Sequence, residues 1–251
     1  PQGNLEDSQE RQYGKLGEVV YEKQTVVTYT SPLNPSVFET QYAFDTFGRL
    51  QRLTYPDGEV LTNTYDSGGN LQSTASEKNG YRYRYLLALH YDKFEQRVQM
   101  EQGNGVKTVY AYDAKTRRLA TLTAGKGTLF QNLQYGYDRV GNILTLQNQV
   151  PVPTPNQVGG PAQQAFTYDE LYRLTGAQGS FQYAPDKTHT YTLNMGYDTI
   201  HNITTKNQLH TIVQPSQQAI TQKKTTYDFT YTYNPSGPAS TRPHAPVKIT
   251  G

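Results

Sequence analysis

An aromatic residue followed by aspartate opens a similar short string seven times along the chain. The clearest strings run from Phe44-Asp45 through Gly48 and Arg49 to Leu50, from Tyr65-Asp66 through Gly69 and Asn70 to Leu71, and from Tyr137-Asp138 through Gly141 and Asn142 to Ile143. Two more keep the spacing and lose the glycine: Tyr168-Asp169 with Tyr172, Arg173 and Leu174, and Tyr197-Asp198 with His201, Asn202 and Ile203. In Tyr91-Asp92 and Tyr112-Asp113 the closing aliphatic residue, Val98 or Leu119, comes one place later, so these turns are expected to hold an extra residue. The aspartates recur at intervals between 21 and 31 residues. A fixed string at a variable period of this size predicts one β-hairpin per unit, with connections of different length.

The chemistry of the string fits a turn. The aromatic residue ends one strand on a packed face. The aspartate carboxylate can accept hydrogen bonds from backbone amides two or three residues on. Glycine at the fourth position after the aromatic supplies a positive φ, as in a type I turn closed by a bulge. Arg or Asn then points outward, and the aliphatic residue starts the return strand. At Tyr172 and His201 a non-glycine residue either takes the left-handed conformation, at about 1 kcal/mol, or uses another turn.

Between the turns the period is two, the mark of half-buried strands. Tyr81, Tyr83 and Tyr85 alternate with Arg82 and Arg84. Leu129, Gln131, Leu133, Tyr135 and Tyr137 share a face, as do Tyr227, Phe229, Tyr231 and Tyr233. Strand-like residues follow Tyr227-Asp228, so this pair is not counted with the seven. Residues 55–59 and Asn79-Gly80 are further turn signals. No long window carries a helical period. Residues 147–165 and 214–225 are expected to be loops, and the proline-rich 234–246 an extended terminal segment. Residues 1–251 are expected to form one repeat segment.

Composition supports a sheet without a thick core. Leu, Ile, Val and Phe make up only about a fifth of the 251 residues. There are 22 Tyr, 8 Phe and no Trp. Tyrosine packs sideways along a sheet and keeps its hydroxyl hydrated. No apolar run is long enough for a transmembrane helix, and no signal peptide is visible. The chain begins with Pro1, so it is expected to be a piece of something longer. Without cysteine, disulfides and thiolate chemistry are excluded. A net charge of +2 gives no footprint for nucleic acid.

The residues do not assemble a reaction centre. Carboxylates more than 20 residues apart suit turns better than acid–base work. His90, His189, His201, His210 and His244 lack metal-ligand spacing. No GxSxG elbow is present. Gly103-Asn104-Gly105 and Gly125-Lys126-Gly127 are too short to cradle a phosphate and suit hairpins. In the Tyr81–Tyr85 strip, alternation puts rings and cations on opposite faces, against a nucleic-acid site. The reading is a protein without catalytic residues, metal or other cofactor.

The Tyr65 and Tyr137 strings resemble the tyrosine-aspartate repeat of the Rhs (rearrangement hotspot) family. Residues Arg49 to Gly58 resemble the segment between two such repeats. Arg242-Pro243-His244-Ala245 resembles a stretch that precedes the family's last characteristic region. The resemblance covers about residues 13–245. It implies an all-β fold of consecutive antiparallel hairpins forming part of a spiralling shell, here of roughly 14–18 strands. In bacterial polymorphic toxins and in the B and C components of Tc toxins, such a shell holds a toxic C-terminal domain; teneurins use a similar shell at animal cell surfaces. The implied partners are the rest of the shell polypeptide and its enclosed toxin, with a secreted, injected or cell-surface location. The family's self-cleaving motif lies downstream of the repeats and has no counterpart here. A cell-surface adhesin or teneurin-like recognition module binding carbohydrate or protein is the alternative. Unprotected sheet edges predict association of the isolated segment.

Overall fold

The computed structural model describes residues 7–28, 34–154, 159–214, 218–234 and 242–251. Every paired strand is antiparallel, and no helix occurs among these residues. Nineteen strands belong to one sheet, slightly more than the sequence suggests. They fall into two compact units, which meet between Thr108 and Val109.

In the first unit, β1 (Ser8–Tyr13), β2 (Val19–Thr28), β3 (Asn34–Phe44), β4 (Leu50–Thr54), β5 (Val60–Tyr65), β6 (Leu71–Lys78), β7 (Tyr81–Tyr91) and β8 (Arg97–Gln102) pair in chain order. Strand β9 (Lys107–Tyr112) runs across the boundary. In the second unit, β10 (Leu119–Lys126), β11 (Thr128–Tyr137), β12 (Ile143–Asn148), β13 (Ala162–Tyr168), β14 (Leu174–Ala184), β15 (Lys187–Tyr197) and β16 (Ile203–Val213) follow in the same way. The short β17 (Ile220–Thr221) and β18 (Tyr227–Tyr233) both pair with β16, and β19 (Pro246–Thr250) pairs with β18. Within each unit the aspartate turns therefore all lie at one end of the strands.

The segments expected to be loops are shorter than composition suggests. Strands β12 and β13 take in Gln147, Asn148 and residues 162–165, β17 lies inside 214–225, and β19 begins at Pro246. Gln- and Thr-rich text conceals these strands because a ladder needs only backbone partners. Residues 155–158, 215–217 and 235–241 of these segments lie outside the described residues.

Burial is thin. Val27, Leu89, Ala124, Val150 and Ala177 are the buried apolar residues among those described, and no side chain is completely enclosed. Strand β18 shows how tyrosine substitutes for a core. Its residues alternate half-buried and exposed, and the Tyr227 and Phe229 rings stack at 4.8 Å. Such contacts add about 0.5–1.5 kcal/mol beyond the area they cover.

The turns resolve the open choice at the positions without glycine. Tyr172 and His201 take positive φ, at 61° and 70°. Glu95 and Arg117 do the same in the Asp92 and Asp113 turns. The Asp92 turn holds no extra residue. Its Asp92 amide donates to Gln96 O, the same span as Asp66 to Asn70, and Tyr91 pairs with Arg97. Arg97 simply occupies the place that an aliphatic residue holds elsewhere. The Asp113 turn is one residue longer, with the Asp113 amide donating to Arg118 O.

Tyr172 is 60% exposed, so its ring offers little to offset the left-handed backbone. Tyr172→Gly is expected to stabilise the chain by about 1 kcal/mol. Chemical denaturation checks this; an equal or lower midpoint would show that the ring contributes more than the backbone loses.

Candidate functional site

The repeated turn is where the recurring residues meet. In the Asp138 turn, one carboxylate oxygen accepts the amides of Val140, Gly141 and Asn142 at 2.7–3.0 Å. The other accepts the Asn142 side-chain amide at 2.7 Å. Asp198 repeats this with Ile200 and Asn202. Asp45 accepts the Phe47 and Arg49 amides, and Arg49 closes on its second oxygen through Nε and Nη2, both at 2.7 Å. Asp169 and Arg173 form the same pair. Asp66 accepts the Asn70 amide, Asp92 those of Phe94 and Gln96, and Asp113 those of Lys115 and Thr116. Gly48, Gly69 and Gly141 sit at positive φ within their turns.

The aromatic residues Phe44, Tyr65, Tyr91, Tyr112, Tyr137, Tyr168 and Tyr197 are all half-buried. Each of Phe44, Tyr65, Tyr91, Tyr137, Tyr168 and Tyr197 adjoins a register shift, so that two residues of the return strand oppose one. Such a bulge interrupts the ladder and raises the local twist.

A second link runs between successive repeats. The Tyr65 hydroxyl donates to Leu50 O at 2.7 Å, Tyr91 to Leu71 O at 3.0 Å and Tyr137 to Leu119 O at 2.9 Å. Tyr168 donates to Ile143 O and Tyr197 to Leu174 O. In each case the acceptor opens the return strand of the preceding repeat. Burial raises the pKa of Tyr91, Tyr137, Tyr168 and Tyr197, which keeps these hydroxyls protonated and donating.

Arginine adds a third link. Arg49 lies over the Tyr65 ring at 4.4 Å and Arg173 over Tyr197 at 4.7 Å. Arg118 and Arg173 reach the carbonyls of Asp138 and Asp198 in the next turn.

One further turn carries the same geometry without the Tyr-Asp spelling. Tyr13 adjoins the same register shift, and the Gly14 amide donates to Glu18 O. A Cβ on Gly14 would collide with the Glu18 carboxylate, which accepts the Leu16 amide in place of an aspartate. Tyr233 donates to Ile203 O and also adjoins a register shift. The signal is Tyr13-Gly14 with Gly17. By contrast Asp228 lies within β18, opposite Asn207. The stretch Arg242–Ala245 docks on the Asp198 turn, where Asn202 Nδ2 donates to Pro243 O and its Oδ1 lies 2.8 Å from His244 Nδ1.

The histidines do not gather around a common centre. His189 and His210 are in contact at 2.8 Å, and burial followed by the neighbouring His210 lowers the His189 pKa. Among the described residues no three metal-ligating side chains cluster.

No protein-family model matches the chain. The toxin subunit YenC1 of Yersinia entomophaga is 34% identical over 157 residues, covering 59% of this chain and 16% of that protein. YenC2 of the same organism is 34% identical over 143 residues, covering 49% and 14%. The chain thus spans about one sixth of the curated relatives it matches. Among solved structures, the Photorhabdus luminescens Tc holotoxin pore superposes with a TM-score of 0.71 over 90% of this chain and 12% of that one, at 23% identity. The TcdB2-TccC3 complex without its hypervariable C-terminal region gives 0.69 over 94% and 12%, at 24% identity. The likeness to Tc toxin subunits, together with the shared fold, supports a toxin-related β-shell segment. In sequence the chain is similar to Tc toxin subunits, and in fold to the Tc toxin complexes.

The inter-repeat bond is directly testable. Tyr137→Phe keeps the ring and leaves Leu119 O without its donor, at an expected cost of about 1–2 kcal/mol in urea denaturation. An unchanged midpoint would remove the hydroxyl from the account of stability.

The turns also predict an acid limit. Asp45 is held below the ordinary carboxylate range chiefly by the Arg49 side chain, and Asp113 and Asp169 chiefly by the Thr116 and Arg173 amides. At Asp138 and Asp198 burial works upward, but the bonds from Asn142 and Asn202 and neighbouring amides outweigh it. A lowered folded-state pKa stabilises fully above the unfolded value, about 3.9, and is lost as pH falls through the folded value. Stability should therefore drop steeply below about pH 4. Asp138→Ala should be less stable at neutral pH and lose less on acidification. Denaturant midpoints at both pH values test this, and an equal acid loss in the variant would contradict it.

Proposed function

We propose that this chain is a structural wall segment of an Rhs-type shell that encloses a toxic C-terminal cargo until delivery. It acts by containment and holds no catalytic centre. The carrying observation is the tyrosine bond, which joins successive hairpins within each of the two compact units and supports a wall-like reading. The repeat carboxylates support the same reading, because they are spent on their own turns and not directed at a common substrate. The likeness to Tc toxin subunits supports the toxin context. Its partners on this reading are the remainder of the shell polypeptide and the enclosed cargo, and its destination is secretion or injection.

The test uses the polypeptide that carries this segment. A cargo domain downstream of the repeats should resist protease in the intact protein and become sensitive once denaturant opens the shell. Protease sensitivity under native conditions would reject containment. A parent with further repeats and a surface anchor would turn the reading toward a recognition module, which the exposed Tyr81, Tyr83 and Tyr85 rings would suit.

A further inference from the structure

We propose that the first unit carries an anion-binding cradle for an acidic peptide segment, built from Arg52, Arg82 and Arg84. The register brings these residues together. Arg52 pairs with Thr62, Thr62 with Ala75, and Ala75 with Arg84, so two arginines flank two small residues across four strands. In the next row, Thr54, Val60, Glu77 and Arg82 are aligned in the same way. All three arginines line one concavity of about 800 Å³.

The charge in this hollow is unbalanced. Arg82 makes a loose pair with Glu77 at 3.7 Å, in which the arginine side chain remains 86% exposed. Arg52 and Arg84 have no acidic partner among the described residues. They contrast with Arg49 and Arg173, whose guanidinium groups are closed on aspartates in their own turns. A free guanidinium fork matches a carboxylate in two parallel hydrogen bonds. Thr62 and Ala75 leave room between the forks.

The surroundings favour peptide over single-stranded nucleic acid. Nucleic-acid grooves set several rings in series beside their cations. Here alternation puts Tyr83, which pairs with Ser76, on the face opposite Arg82 and Arg84, so no ring of this strand stands among the cations. Tyr85 instead bonds the Glu59 carboxylate. Asn79 and Gln51 add amide groups suited to a peptide.

The experiment is fluorescence anisotropy on the full chain with a short labelled peptide rich in Asp and Glu. The wild type should bind it, and binding should weaken from about 20 mM to about 200 mM salt. Arg52→Gln with Arg84→Gln should weaken binding about tenfold. Lys223→Gln with Lys224→Gln removes the same charge from another site and should change it less than twofold. If the double arginine variant melts early, Arg84→Gln alone replaces it, since this side chain is exposed. No binding at low salt, or an equal loss in the lysine control, overturns the proposal. So does an arginine-dependent preference for a labelled oligothymidylate of the same formal charge.

Discussion

A bulged hairpin leaves backbone polar groups off the ladder, and a thin sheet has no core in which to hide them. The repeat tyrosine meets this constraint. Its hydroxyl reaches the carbonyl that opens the previous repeat's return strand, as Tyr65 does to Leu50 and Tyr197 to Leu174. Each ring therefore contributes twice, as apolar surface along the sheet and as a donor placed beside a disrupted ladder. The aspartate turn sets the angle at which the ring arrives. Arg49 and Arg173 then connect the two features, gripping their own aspartate while covering the next tyrosine.

This division of labour explains the composition. A chain that joins neighbouring hairpins by directional bonds needs fewer aliphatic residues than one that buries a centre. Five buried apolar side chains suffice among the described residues because half-buried rings and backbone ladders carry the rest. The turns can tolerate substitution for the same reason. Glu18 replaces an aspartate from the far side of the Gly14 turn, and Glu95, Arg117, Tyr172 and His201 accept a strained backbone where glycine would be relaxed.

Much of the fold was legible because its signals are local. Period-two alternation marks the strands around Tyr81 and Tyr227, and the aromatic-aspartate-glycine spacing marks the turns at Asp45, Asp66 and Asp138. What stayed hidden depends on register or on geometry without a fixed spelling. Arg97 in an aliphatic place made the Asp92 turn look longer than it is. Glu18 concealed the first turn. The partners of the tyrosine hydroxyls could not be read, because they lie at varying distances along the chain and are chosen by the bulge. The convergence of Arg52 with Arg84 depends on three successive pairings, which no local pattern encodes.

The direction of the tyrosine bond gives the sheet a polarity. Tyr137 secures Leu119, Tyr168 secures Ile143, and Tyr233 secures Ile203. In every case the later residue fastens the earlier one. A growing chain obeying this rule completes each hairpin only when the next has been made, so its newest unit always waits for a donor. Assembly then proceeds like a row of latches closed from behind, and dismantling is easiest from the end made last.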